Sequence, residues 1–252
     1  MIGIRMASRR RGREEGEKPF WISFSDLMTA LMVLFLVALS VALLAVTKKI
    51  SDDEREEKSR SEQISELMTE VQKVAAQFDG VRVIDRTIDF GPRGRFEREG
   101  QNTLSAQQRT LVRQFTPKLF EQLRTTEAGR KWFKRAVVEG YASQTGKYLF
   151  NLNLSLERSE RVLCELLREP PHGEPALSEA DRKLVATRFF VGGASFNSLR
   201  STADDSRRIE FKLEFKTRQE RQEELAHPAP PVDDDALTQA LDLKERCPIA
   251  DR

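Results

Sequence analysis

Asp26 lies inside an apolar run that extends from Phe20 to Val46, and it is the residue of this chain whose chemistry most needs an explanation. A helix of that length spans a hydrocarbon core of about 30 Å. An ionised carboxylate inside such a core costs roughly 3 kcal/mol or more unless it is paired, hydrated or protonated. A carboxyl group in low dielectric can alternate between neutral and charged forms, and the transmembrane field acts on each charge with about 2.3 kcal/mol per 100 mV. Protonation coupled to helix packing would therefore turn ion flow into motion. On helical spacing Asp26 shares its face with Ile22, Thr29, Ala30, Val33, Val37 and Ser40, while Phe24, Met28, Leu31 and Phe35 lie mostly elsewhere. A stripe of small and hydroxyl-bearing residues suits close packing against other helices, which points the carboxyl group at protein or trapped water. The bland alternative is an aspartate near enough to the cytoplasmic end to reach the headgroups, but so short a side chain snorkels poorly compared with Lys or Arg.

Few other reactive groups cluster. His172 and His227 sit in proline-flanked stretches and the Gly192-Gly193 pair lacks a nucleotide-binding motif, so neither an enzyme activity nor a cofactor is expected. Cys164 and Cys247 fall in the part expected outside the cytoplasm, where a disulfide is permitted. Their spacing leaves two alternatives open, a bridge or a buried free Cys164.

These residues need a membrane helix and a soluble scaffold. The 252 residues carry 42 basic and 40 acidic side chains, a formal charge of +2, so no nucleic-acid-binding footprint is visible. Arg5, Arg9, Arg10, Arg11, Arg13 and Lys18 precede the apolar run, and only Lys48 and Lys49 follow it before acid-rich sequence. The positive-inside rule keeps residues 1–19 in the cytoplasm and sends the bulk across the membrane. A cleaved signal peptide is disfavoured by the length of the run, by Asp26 and by the lack of a small-x-small site before Thr47. The expected organisation is a transmembrane helix over 20–46, a helical linker over 47–80, an α/β domain over 81–216 and a tail over 217–252.

Within the linker, Ile64, Leu67, Val71, Val74 and Phe78 recur at three and four residues. The spacing predicts either a parallel dimer seam or a short stripe that caps the domain, and in the seam's frame Arg60, Glu57 and Asp53 interrupt it. Gly80 ends that helix. The domain pattern predicts strands over 81–90, 133–139, 188–191 and 209–215, and helices over 104–123 behind Ser105, through Leu154 and Val162 to about Glu169, and after Ser178. Strands alternating with helices indicate a mixed sheet with packed helices. Pro228, Pro230 and Pro231 mark the tail as a linker or disordered segment with one short helix over 235–244.

Pro19-Phe20-Trp21-Ile22-Ser23-Phe24-Ser25-Asp26-Leu27-Met28-Thr29-Ala30-Leu31-Met32 resembles the spanning helix of MotB-type stator subunits, which implies that Asp26 is the proton-accepting residue. Val138-Glu139-Gly140-Tyr141-Ala142-Ser143, Asn151-x-x-Leu154-Ser155-x-x-Arg158-Ser159 and Ser206-Arg207-Arg208-Ile209-Glu210 resemble the motifs of OmpA-like peptidoglycan-binding domains. The resemblance implies wall binding through Asn151, Leu154 and Arg158. Arg158 could hold a ligand carboxylate in a bidentate fork, but Ser143 stands where such domains usually carry an aspartate, so a partner for the ligand's ammonium is missing there. Among MotB-type proteins the chain looks most like the B subunits of Zorya-type anti-phage defence motors. That implies an inner-membrane subunit, present as a homodimer inside a ring of five MotA-like multi-spanning partners, with protons as the translocated ion. A flagellar stator subunit and a passive membrane-to-wall tether are the alternatives.

Overall fold

The computed structural model describes residues 17–230 and 232–252; residues 1–16, most of the expected basic terminus, lie outside them. The chain divides into two compact units, one ending at Glu57 and the other spanning Lys58–Arg252. Helix α1 runs over Glu17–Ala75, uninterrupted because neither Gly nor Pro occurs from Phe20 to Asp79. From Trp21 to Ile50 every residue of α1 is exposed within the chain, including Leu34, Phe35, Leu43 and Leu44. Among the described residues one helix is thus long and apolar enough to cross a membrane, and its uncovered surface needs lipid or other helices.

The second unit holds a five-stranded sheet. Strands β1 (Arg82–Ile84) and β2 (Thr87–Asp89) form a hairpin whose turn places Asp85 at φ 54°, so the expected single strand over 81–90 is two short ones. A 3-10 turn at Gly91–Gly94 follows, and then α2, Ala106–Thr125, starts at a capping box in which Ser105 accepts from the Gln108 amide and Gln108 returns the bond. Helix α3 (Glu127–Trp132) leads into β3 (Phe133–Gly140), α4 (Tyr148–Leu167), α5 (Glu179–Arg188) and β4 (Phe189–Gly193). Helix α6 (Ala203–Ser206) and β5 (Ile209–Phe215) complete the sheet in the order β1-β2-β5-β3-β4, with β3 and β4 parallel and the other pairs antiparallel. The parallel pair needs a crossover, which α4 and α5 supply.

Of the two readings of the linker stripe, the one that packs it on the domain is the one present. Ile64, Leu67, Val71, Val74 and Phe78 are all buried in the same hydrophobic cluster as Phe115, Phe211 and Val138, so the domain's core begins well before residue 81. Phe78, Phe115, Phe90, Phe211, Phe189 and Phe120 make a chain of edge-to-face rings with centroids 4.8 to 5.5 Å apart. Each such pair adds about 0.5–1.5 kcal/mol beyond burial. Arg60, which breaks the heptad pattern, donates to the Lys216 carbonyl at 2.9 Å and lies 5.6 Å from the Trp132 ring. A dimer coil in that register would have to strip this helix from its own domain.

The tail is likewise not a free linker. Helix α7 (Arg218–Ala226) packs Arg221 against Trp132, helix α8 (Asp234–Ala240) pairs Asp234 with Lys183 at 2.6 Å, and Cys247 is bonded to Cys164. Of the two alternatives that the cysteine spacing leaves open, the bridge is the one present. Its loop closes across a sequence separation of 83 residues.

Candidate functional site

Asp26 lies on the exposed stretch of α1. The hydroxyls nearby are used locally: Thr29 Oγ1 donates to the Ser25 carbonyl at 2.8 Å and Ser40 Oγ to the Leu36 carbonyl at 2.7 Å. Such back-bonding satisfies a hydroxyl without a second helix, so these groups offer neighbouring helices a small, close-packing surface and an acceptor rather than a free donor. Asp26 is left as the ionisable group of that surface between Trp21 and Val46.

The second candidate is built on α4. Asn151, Leu154 and Arg158 fall on its inward face, which β3 meets at Gly140. A Cβ at Gly140 would collide with the Ser155 carbonyl, and one at Gly193 would come within 2.8 Å of the Leu156 amide, so these two glycines let α4 lie directly on β3 and β4. Ser155 Oγ accepts from the Ser195 amide at 2.9 Å, and the Ser195 carbonyl accepts from the Ala142 amide at 2.8 Å. Ser195 is held at φ 52° by these bonds, a left-handed conformation that costs a residue of this kind on the order of 1 kcal/mol. The loop carrying Ser143 is thereby fastened to α4.

Arg158 is completely buried, not on the helix surface as a salt-bridging residue would be. Its Nε donates to the Gln101 carbonyl at 2.8 Å and its Nη1 to the Tyr141 carbonyl at 2.6 Å, while Cζ lies 4.3 Å from the Phe96 ring centroid. Nη2 has no partner. No ion pair links Arg158 to a carboxylate among the described residues, and burial, then the charge of Arg207, push its pKa down to about 9. A buried cation held only by dipoles and an aromatic face is under-compensated, and the unpartnered Nη2 is where an anion would relieve it. Asn151 Nδ2 donates to the Thr145 carbonyl at 2.9 Å, next to the left-handed Gly146 at φ 97°, so it shapes the loop. Leu154 is buried, and Ser143 is buried with nothing acidic in its own side chain to offer.

The third motif is a clamp. Arg207 Nε donates to the Phe96 carbonyl at 3.1 Å and Nη2 pairs with Asp204 at 2.6 Å. Arg208 stacks 3.9 Å from the Tyr141 centroid, pairs with Glu210 at 2.7 Å and donates to the Ser198 carbonyl at 3.1 Å. Glu210 and Asp89 in turn share Arg200, at 2.5 and 2.7 Å. Burial alone would raise Asp89, but the bonds from Arg200 and the Gly91 amide, with Arg82 nearby, hold its carboxyl below the usual range. Tyr141, whose hydroxyl donates to Glu139 Oε2 at 2.5 Å, is pushed well above its ordinary value by burial and by that bond. These charges hold the loops around Arg158 in place. Sequence reasoning did not identify the carbonyl of Gln101 or the ring of Phe96 as partners of Arg158, because a backbone carbonyl carries no sequence signature.

Residues 7–51 match the family described as membrane MotB of the proton-channel complex MotA/MotB. The Zorya protein ZorB of Escherichia coli O139:H28 is 37% identical over 234 residues, covering 90% of this chain and 94% of that protein. Among solved structures, a periplasmic domain of Helicobacter pylori MotB is 11% identical with a TM-score of 0.39, covering 62% of this chain and 95% of that domain. The OmpA-like domain of FopA1 from Francisella tularensis is 15% identical with a TM-score of 0.33, covering 54% and 82%.

Proposed function

From the premise that the chain belongs to the family of the Zorya protein ZorB, we propose that it is the proton-conducting, wall-anchored stator subunit of a membrane motor acting in anti-phage defence. Asp26 is the observation that carries this reading: it is a carboxylate on the small-residue face of the one apolar helix, within the segment that matches membrane MotB. Its carboxyl group binds and releases the translocated proton, and MotA-like multi-spanning subunits, five around two copies of this chain, supply the rest of the path. The two copies meet through their membrane helices, since the stripe from Ile64 to Phe78 is spent inside each domain.

The N-terminus lies in the cytoplasm and the domain in the periplasm. The basic residues before Phe20 support that orientation, and so does the Cys164–Cys247 bridge, which needs an oxidising compartment. Arg158, buried without a counter-ion among the described residues, is the group that receives a carboxylate of the peptidoglycan stem. Asn151 and Leu154 shape its loop and packing.

The test is Asp26→Asn in cells that carry the chain with its partner subunits. The amide keeps the shape of the side chain but cannot exchange a proton, so protection against phage should fall to background while membrane insertion and co-purification with the multi-spanning partner persist. Full protection by the Asp26→Asn variant would leave a passive tether as the better description.

A further inference from the structure

Residues 247–252 are fastened along one face of α4, the helix that carries the buried Arg158. Behind the Cys164–Cys247 bond, Arg161 donates to the Ile249 carbonyl at 3.1 Å and pairs with Asp251 at 2.8 Å. Further along the same face Glu157 pairs with Arg252 at 3.2 Å, and the Arg252 guanidinium lies 5.8 Å from the Phe150 ring. The segment ends on Asn102, whose side-chain amide donates to Glu157 at 2.9 Å and to the Ala250 carbonyl at 2.8 Å. Asn102 Oδ1 accepts from the Arg252 amide at 3.0 Å, and its own amide donates to the Arg252 carbonyl at 3.4 Å.

Asn102 is completely buried, and its neighbour Gln101 provides the carbonyl that holds Arg158 Nε. The polar groups of Asn102 and Glu157 are thus engaged by the chain's own segment. A ligand that reaches Arg158 from this side has to displace it.

We propose that residues 247–252 are a disulfide-latched strap that competes with the cell wall for Asn102 and Glu157, beside the Gln101 carbonyl that holds Arg158. The inference rests on the wall-binding reading above and adds a regulator to it. The latch acts through effective concentration: tethered at Cys164, the strap meets Asn102 as an intramolecular partner at about millimolar levels. Without the bond, the nearest upstream attachment is the Glu169 amide on the Leu243 carbonyl, and the strap's occupancy of Asn102 and Glu157 falls. Its charges fit the role, because Arg252 neutralises Glu157 and Asp251 neutralises Arg161, leaving neither available to a charged wall peptide.

The experiment is co-sedimentation of the full-length chain, in detergent, with purified peptidoglycan sacculi. Wild type is compared with Cys247→Ser and with the double variant Asp251→Ala/Arg252→Ala, which keeps the bridge while removing the strap's side-chain contacts. Both variants should bind at least threefold more tightly than wild type, and hydrogen exchange at Asn102 should quicken in both while β3 and β5 stay protected. If wild type binds and the variants bind equally or more weakly, the strap is a brace and the inference is overturned while the wall reading stands. Failure of all three proteins to sediment would overturn the wall reading, and the competition with it. Should Cys247→Ser lose the protection of β3 and β5, the double variant decides alone.

Discussion

Arg158 carries its charge into a place with two carbonyls and an aromatic face, and with no carboxylate among the described residues. The usual assumption that a helical arginine is cheap to remove fails there. Arg158→Ala strands the Gln101 and Tyr141 carbonyls and opens a cavity, and should cost about 2–4 kcal/mol, read from urea unfolding followed by Trp132 fluorescence. A loss of wall binding by that variant means little unless this cost is measured beside it. Asp89 gives a pH dependence of definite sign. Its folded carboxyl titrates below the unfolded value near 3.9, so its contribution is full above that pH and is lost as pH falls through the folded value. Unfolding free energy should decline in acid, and Asp89→Asn should both lower stability at neutral pH and flatten that decline. An unchanged acid limb in the Asn variant would place the sensitivity elsewhere.

At the scale of elements, α1 carries two opposite faces of the hydrophobic effect along one continuous helix. Between Trp21 and Ile50 its apolar residues are uncovered, and between Ile64 and Ala75 they are buried in the domain. Leu67→Ala should therefore cost about 2–5 kcal/mol of domain stability, a penalty that a solvated linker would not show. Cysteine at position 67 or 71 should give no chain-to-chain crosslink in membranes under mild oxidation; efficient crosslinking there would show that this part of α1 leaves its core in the assembled complex. The contact of α4 with β3 is equally unforgiving, since a methyl group at Gly140 meets the Ser155 backbone. Gly140→Ala should destabilise by roughly 1–3 kcal/mol or more, seen as a lower urea midpoint.

For the whole molecule, the bridge between Cys164 and Cys247 matters more than the local order of the tail suggests. It closes a long loop that includes α5, β4, β5, α7 and α8, and loops of this length confer about 2–4 kcal/mol when cross-linked. Thermal unfolding of the oxidised protein should lie several degrees above that of the dithiothreitol-treated protein. Equal midpoints would mean that the tail's ion pairs, Lys183 with Asp234 among them, hold it without help. Production in a reducing compartment should accordingly yield a less stable domain with a mobile strap.

A helix long and apolar enough to cross a membrane was readable from the chain alone, because that capacity depends on local composition and length. The same holds for the Ser105 cap and the alternation of β5, whose signals lie within a few residues. The family motifs located Asn151, Leu154 and Arg158 on a helix, yet their spacing could not say which face of it is covered. Periodicity marks an apolar stripe without naming its partner, so Ile64 to Phe78 read equally well as a dimer seam and as core. Only the tertiary structure decided that the domain itself fills that seam, that Arg158 is held by the carbonyls of Gln101 and Tyr141, and that Cys247 returns to α4. Each of these contacts joins residues far apart in sequence, through backbone atoms or apolar surfaces that every residue type can offer, and only the folded chain selects among them.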